Sequence, residues 1–244
     1  MSIVRTEAFV LKAVRFGETS MIYRMFTREK GVVPVMAKGA RGPKSRFGAA
    51  PGTFQRLLVT YYAREGREVQ TLSGVDLLEA HRGIATSLPR VEAAGRWFRF
   101  LQAVLPDGAP LERLYALTVE GLERLERAPA GGEPRWETFH RLAAAATLGV
   151  APHLEACVGC GRELPDGRPL AFSIADGGLV CDRCPPRPGL ERLSPRGFSF
   201  LTVYAHPDYA LAEELEGVDP EELAIQRLIH AFIRWHADLR PEAA

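Results

Sequence analysis

Several features that would classify the chain at once are missing from it. No apolar run in its 244 residues approaches the roughly 20 residues that a membrane-crossing helix needs. The N-terminus, MSIVRTEAFVLK, carries charges where a signal peptide keeps an apolar block. The expectation is a soluble, cytoplasmic protein with no membrane partner. No Gly-x-Gly-x-x-Gly dinucleotide fingerprint occurs. The nucleotide loop of an NTPase is absent too. Gly42-Pro43-Lys44-Ser45 puts a proline where the phosphate-binding lysine belongs, and Gly39 lies three residues before Gly42 where that motif needs five. Pro43 also removes an N–H that would face phosphate. The histidines are scattered, with no His-Glu-x-x-His, and Ser45 lacks the context of a catalytic nucleophile. With no constellation of acid, base and nucleophile in the sequence, the expectation is a protein that is not an enzyme.

Cysteine is scarce, and its placement is informative. The chain has four, as Cys157-Val-Gly-Cys160 and Cys181-Asp-Arg-Cys184, with 20 residues between the pairs. Nothing suggests secretion, so disulfides are not the first reading. A Cys-x-x-Cys turn can aim two thiolates at one point, and two such turns complete a tetrahedral shell around zinc. A four-thiolate shell leaves no open position for water, so such a zinc is structural. The alternatives are four reduced thiols without metal, or two redox pairs. A thioredoxin-type pair should open a helix in a βαβ context, which neither pair does. Phe172, Ile174, Leu179 and Val180 around Asp176-Gly177-Gly178 suggest a small hairpin within the insert.

Net charge is almost nil at +1, yet it is unevenly spread. Residues 1–72 hold 13 Lys and Arg against 5 acidic residues, and the remaining 172 residues hold 18 against 25. A basic module joined to an acidic one suggests a polyanion partner for the first. The same division runs through the hydrophobic pattern. Residues 3–16, 20–26, 32–37, 54–63 and 69–72 read as five short strands with turn residues between them. Five strands in so short a span fit a small closed barrel, which leaves no exposed sheet edge. Beyond residue 75, apolar residues recur at helical spacing: Leu111, Leu114, Tyr115, Thr118, Leu122 and Leu125; Val91 to Leu105, bounded by Pro89 and Pro106; Phe139 to Ala146; and Leu223 to Trp235, with Asp219 as N-cap. The expected domains are 1–76 (barrel), 77–154 (helical, first part), 155–188 (cysteine insert) and 189–244 (helical, C-terminal part).

The stretch AKGARGPKSRF, residues 37–47, lies in the long connection between the third and fourth strands. Long loops in compact domains are often functional. Cationic grooves with aromatic rings bind nucleic acid, because phosphate attracts charge and every base has a stackable face. Lys38, Arg41, Lys44 and Arg46 are the expected phosphate contacts, extended by Arg15, Arg24 and Arg56. Phe47 is the expected stacking residue among rings that include Phe16, Phe54, Tyr61 and Tyr62. Phosphate contacts carry no sequence information, so this pattern alone leaves open an RNA-binding accessory factor, or an adaptor that docks an acidic protein tail.

Gly17-Glu18-Thr19-Ser20, Phe26-Thr27 before Gly31, Ala37-Lys38-Gly39-x-Arg41 and Lys44-Ser45-Arg46 together resemble the N-terminal signature of the bacterial RecO family of DNA-repair recombination mediators. The order of parts also matches across nearly the whole chain. The resemblance implies an α+β multidomain protein: an N-terminal five-stranded OB-fold β-barrel, then an all-α domain with an inserted zinc-finger-like module built on four cysteines. It implies binding of single- and double-stranded DNA and annealing of complementary strands without ATP. It further implies partnership with RecR and single-stranded-DNA-binding protein, loading of RecA, and a location with the bacterial nucleoid in the cytoplasm. Two departures stand out. Many relatives run from the basic loop into a Pro-Phe pair, where this chain has Pro51-Gly52-Thr53-Phe54. The cysteines are not kept by all members, which implies that Zn2+ on Cys157, Cys160, Cys181 and Cys184 holds shape and does no chemistry.

Overall fold

A computed structural model describes residues 1–43, 45, 47, 51–164, 170–215, 217 and 219–237. The chain separates into two compact units, Met1–Arg127 and Ala128–Ala244.

The first unit is built on five strands: β1 (Ser2–Phe16), β2 (Ser20–Thr27), β3 (Gly31–Ala37), β4 (Arg56–Ala63) and β5 (Gln70–Glu79). They close into a barrel in the order β1-β2-β3-β5-β4, with β4 returning to pair with β1. Every pairing is antiparallel except β3 with β5, where Val35 faces Gln70 and Met36 faces Thr71. This is the OB-fold arrangement. Strand alternation sends Ala8, Val10, Tyr23, Met25, Val35, Ala37, Leu57, Val59, Tyr61 and Leu72 inward to a buried core. A bulge at Leu11 shifts β1's alternation by one residue: Val10 pairs with inward Met25 before it, and Lys12 pairs with Arg24 after it, so Lys12, Val14 and Phe16 share the outer face with Phe9. β5 runs well past the expected residue 72. Gly74 and the register shift between Thr60 and Tyr61 interrupt its pattern, but the pairing with β4 continues to Glu79.

Three helices follow: α1 (Arg82–Ala85), α2 (Leu88–Val104) and α3 (Glu112–Arg127). α2 and α3 cover one end of the barrel's outer face through an aromatic contact zone. Phe9 meets Phe98 edge-on at 5.9 Å and Tyr115 at 5.4 Å, Phe26 meets Tyr115 at 5.4 Å, and Phe54 meets Phe98 at 5.2 Å. Gly31 sits at φ 64° in the turn into β3, and a Cβ there would fall 2.2 Å from the Ala109 carbonyl oxygen. Only glycine fits both the backbone angle and the space.

The second unit contains α4 (Glu133–Thr147), β6 (Leu170–Ser173), β7 (Gly178–Val180), β8 (Leu190–Leu193), α5 (Pro195–Ala205), α6 (Ala210–Glu213) and α7 (Pro220–His236). Its sheet has the order β7-β6-β8. The hairpin of β6 and β7 is the one expected from the sequence, whereas β8 and α5 are additions to the expected elements. Ser194 caps α5 by accepting from the Gly197 N–H at 2.9 Å, and Asp219 caps α7 by accepting from Glu221 at 2.8 Å. Trp136, Tyr204, Ile225, Ile229, Phe232 and Ile233 are buried. A polar network lies among them. Glu222 accepts two hydrogen bonds from Arg135, each at 2.7 Å, and one from the Tyr204 hydroxyl at 2.6 Å. Gln226 donates to the Tyr204 oxygen at 2.7 Å. Burial pushes the Glu222 carboxyl up, but the bonds from Arg135 and Tyr204 outweigh it and hold its pKa below the ordinary glutamate value.

Candidate nucleic-acid interface and cysteine cluster

The basic loop leaves the barrel where β3 ends at Ala37, whose ladder partner is Met21. Two hydrogen bonds stitch it to the tip of the β1–β2 hairpin. The Arg41 N–H donates to the Thr19 carbonyl at 2.8 Å, and the Gly39 N–H donates to the Ser20 hydroxyl at 3.4 Å. Thr19 and Ser20 end the Gly-Glu-Thr-Ser motif, and Gly39 and Arg41 belong to the Ala-Lys-Gly-x-Arg motif. Two signatures 20 residues apart in sequence are therefore two sides of one joint. Gly39 takes φ 69°, which lets the chain turn back toward the hairpin.

The joint sets Lys38, Arg41 and Arg15 on one end of the barrel, all exposed. Among the described residues none of the three is in an ion pair. Lys44 and Arg46 lie outside the described residues. The remaining two expected phosphate contacts are already compensated. Arg24 Nη2 lies 2.6 Å from Asp107 Oδ1. Arg56 Nε donates to Glu7 Oε2 at 2.9 Å, and that hydrogen bond raises the arginine's pKa. Both partners are distant in sequence, so no local pattern announces them.

Phe47 is not a stacking platform in this structure. It is 7% exposed and packs in the barrel core with Ala40, which tucks the middle of the loop against the barrel. The loop must be anchored by something, and its large apolar ring is what the core accepts. The exposed ring is instead Phe16, at 52%, on the last residue of β1. In the sequence it is one aromatic among several. Its proximity to the Gly-Glu-Thr-Ser turn is the signal that could have distinguished it.

The four cysteines converge as their spacing predicts. One sulfur from each of Cys157, Cys160, Cys181 and Cys184 lies within 4.8 Å of every other, close enough to share one metal ion. Cys157–Cys184, Cys160–Cys181 and Cys181–Cys184 are each 3.7 Å apart, so none is a disulfide. Cys157 receives N–H donors from Cys181 at 3.3 Å and Gly159 at 3.4 Å. Burial pushes its thiol up, but these backbone donors together outweigh that and bring it to about 6. Cys184, hydrogen-bonded with the Cys157 and Cys181 sulfurs, is pushed up to about 12. The first turn is shaped by the Gly161 N–H donating to the Cys157 carbonyl at 2.8 Å. His153 contributes its backbone, pairing with β7 through Gly177 and Leu179, and the cluster comprises the four cysteines.

The class this defines is an OB-fold barrel protein with a basic loop, whose Lys38 and Arg41 are in no ion pair among the described residues, and with a separate four-cysteine cluster. The comparisons narrow the class. The profile described as Recombination protein O N terminal matches residues 1–81, and that for Recombination protein O C terminal matches residues 87–243. The DNA repair protein RecO of Salinibacter ruber is 33% identical over 97% of this chain and 89% of its own length. That of Rubrobacter xylanophilus is 33% identical over 97% and 93%, and that of Thermobifida fusca 30% over 98% and 95%. The chain belongs to the RecO family, and with it to DNA repair and recombination. No helix among the described residues is long and apolar enough to cross a membrane.

Proposed function

We propose that this protein is a non-enzymatic recombination mediator. It binds single- and double-stranded DNA through the basic loop face, anneals complementary strands without ATP, and acts with RecR to load RecA on single strands coated by single-stranded-DNA-binding protein. It works in the cytoplasm at the bacterial nucleoid. The observation that carries the reading is the joint between hairpin and loop, which leaves the cations Arg15, Lys38 and Arg41 uncompensated among the described residues at one end of an OB-fold barrel. Lys44 and Arg46 are proposed to continue that track. Cations held against two strands lower phosphate repulsion while the bases stay free to pair. No step in such a reaction requires a nucleotide cofactor.

We also propose that the cysteine cluster holds one structural Zn2+. Four sulfurs at the ~2.3 Å Zn–S distance on a tetrahedron would be about 3.8 Å apart, and three of the sulfur pairs here are 3.7 Å apart. Four protein ligands fill the shell, so the ion supplies no Lewis-acid chemistry and ties the Cys157 turn to the turn after β7 that carries Cys181 and Cys184.

The test is annealing of two complementary DNA oligonucleotides, one fluorescent and one quenched, without ATP. The wild-type chain should accelerate annealing, and a Lys38/Arg41/Lys44/Arg46 charge-reversal variant that remains folded should not. A wild type with no effect would overturn the mediator reading. A preference for RNA would then favour an RNA-binding accessory factor, and no nucleic-acid binding at all would favour a protein adaptor.

A further inference from the structure

The outer face of β1, β2 and β3 is apolar toward both ends, with the Lys12–Arg24 pair between them, and helices cover one of those ends. At one end Phe9 and Phe26 lie under the rings of Phe98 and Tyr115. At the other end the same face carries Val14, Phe16, Ile22 and Met36. The register places them together: Phe16 pairs with Ser20, Val14 with Ile22, and Ile22 in turn with Met36. Directly paired residues share a face, with Cβ atoms about 5 Å apart. Val14 is 47% and Phe16 52% exposed, and no aromatic ring among the described residues packs on Phe16. A single exposed apolar residue needs no explanation. A phenylalanine and a valine projecting side by side from a hairpin arm, on a face that helix residues cover at its other end, do.

The surroundings select the occupant. Ser20, the ladder partner of Phe16, is the residue whose hydroxyl accepts from Gly39. The ring therefore stands on the face where the hairpin meets the basic loop. Lys38 follows Ala37, one step past the last β2–β3 ladder pair, so it leaves the sheet two strands from Phe16, about 10 Å away. Lys12 lies on the same face as Phe16, four residues back along β1, and is exposed. A flat apolar ring between two lysines complements a nucleotide unit, whose base is a flat π-face and whose flanking phosphates are anions. It does not complement an apolar peptide, which would leave both lysines without partners.

We propose that Phe16 is a base-stacking platform for single-stranded DNA. One base lies on the Phe16 ring against Val14, and the adjoining phosphates meet Lys12 and Lys38. This rests on the reading of the barrel as a DNA-binding surface and adds a subsite that holds unpaired bases. A duplex keeps its bases stacked on one another, so the subsite favours single strands.

The test is fluorescence anisotropy with a labelled oligothymidylate, the same oligomer carrying abasic positions, and a duplex of equal length. Phe16→Ala should weaken single-strand binding about fivefold or more, the lower end for base–aromatic stacking. It should leave duplex binding and the salt slope unchanged, because no charge is removed. Wild type should bind the abasic oligomer more weakly than the intact one, and Phe16→Ala should bind the two alike. Phe16→Trp should retain affinity, and its indole fluorescence should be quenched by the strand. The position is exposed, so circular dichroism should show both variants folded. Wild-type affinity in Phe16→Ala, with a normal salt slope, overturns the platform and leaves the basic-loop reading standing. Absence of single-strand binding by the wild type overturns both. Tighter binding to an RNA oligomer of the same sequence overturns the commitment to DNA.

Discussion

The salt dependence of DNA binding separates the cations that are free to meet phosphate from those that are not. Each phosphate contact on a single strand contributes about −0.7 to the slope of log affinity against log salt. If Lys12, Arg15, Lys38, Arg41, Lys44 and Arg46 each make one contact, the wild-type slope is about −4.2, and affinity falls about three-hundredfold between 50 and 200 mM salt. Lys38→Ala/Arg41→Ala should reduce the slope by about 1.4. Arg24→Ala and Arg56→Ala should leave it nearly unchanged, because Asp107 and Glu7 already compensate those guanidinium groups at 2.6 and 2.9 Å. Arg56→Ala should cost stability instead, since it strips a half-buried Glu7 of its partner. Anisotropy titrations at five salt concentrations on the wild type and these variants measure every slope. If Arg56→Ala lowers the slope as much as Lys38→Ala, the ion pair opens on binding and the division into free and compensated cations is wrong. A wild-type slope near zero would refute phosphate tracking altogether.

Other consequences can be checked by simpler means. The purified chain should release one zinc per chain to a chromophoric chelator after its thiols are blocked with a mercurial, and Cys160→Ser should lose the metal and lower the melting temperature while leaving the salt slope of DNA binding intact. Glu222→Ala removes the carboxylate that accepts from buried Tyr204 and half-buried Arg135, although Arg135 keeps the Leu215 and Gly217 carbonyls, so denaturant unfolding should show a loss of about 1–3 kcal/mol; no measurable loss would mean the network relaxes. The Glu222 pKa is depressed in the folded chain, so the stability it contributes is complete above the unfolded glutamate pKa and is lost as pH falls through the folded value. Melting temperature should therefore drop on acidification more steeply in the wild type than in Glu222→Gln. Gly31→Ala puts a Cβ against the Ala109 carbonyl at φ 64° and should destabilise the first unit by at least about 1–2 kcal/mol, seen as a lowered midpoint in urea.

The properties legible in sequence are those set by near neighbours along the chain. Strand alternation in β1 to β4, the helical stripe from Leu111 to Leu125 and the Asp219 cap depend on residues a few positions apart, so they survive without knowledge of the fold. The cysteine cluster was legible for a related reason: a Cys-x-x-Cys turn pre-aims two sulfurs, and two such turns have few ways to meet other than around one point. The basic loop could be recognised from its composition and its motif. Its partners could not. Arg24 and Arg56 read as members of the cationic track because the acids that compensate them, Asp107 and Glu7, lie 83 and 49 residues away. Phe47 and Phe16 are equivalent as letters beside basic residues. The barrel interior takes one as an anchor, and the hairpin arm leaves the other exposed, because only the closed sheet decides which side of a strand is inside. Length of β5 was hidden for the same reason, since its continuation to Glu79 rests on pairing with β4 and not on its own pattern. The sequence alone determined the kinds of surface this protein has, a basic barrel and a four-cysteine cluster. The tertiary structure alone decided which cations are free and which ring is exposed, because charge compensation and burial are made by residues that meet only once the chain has folded.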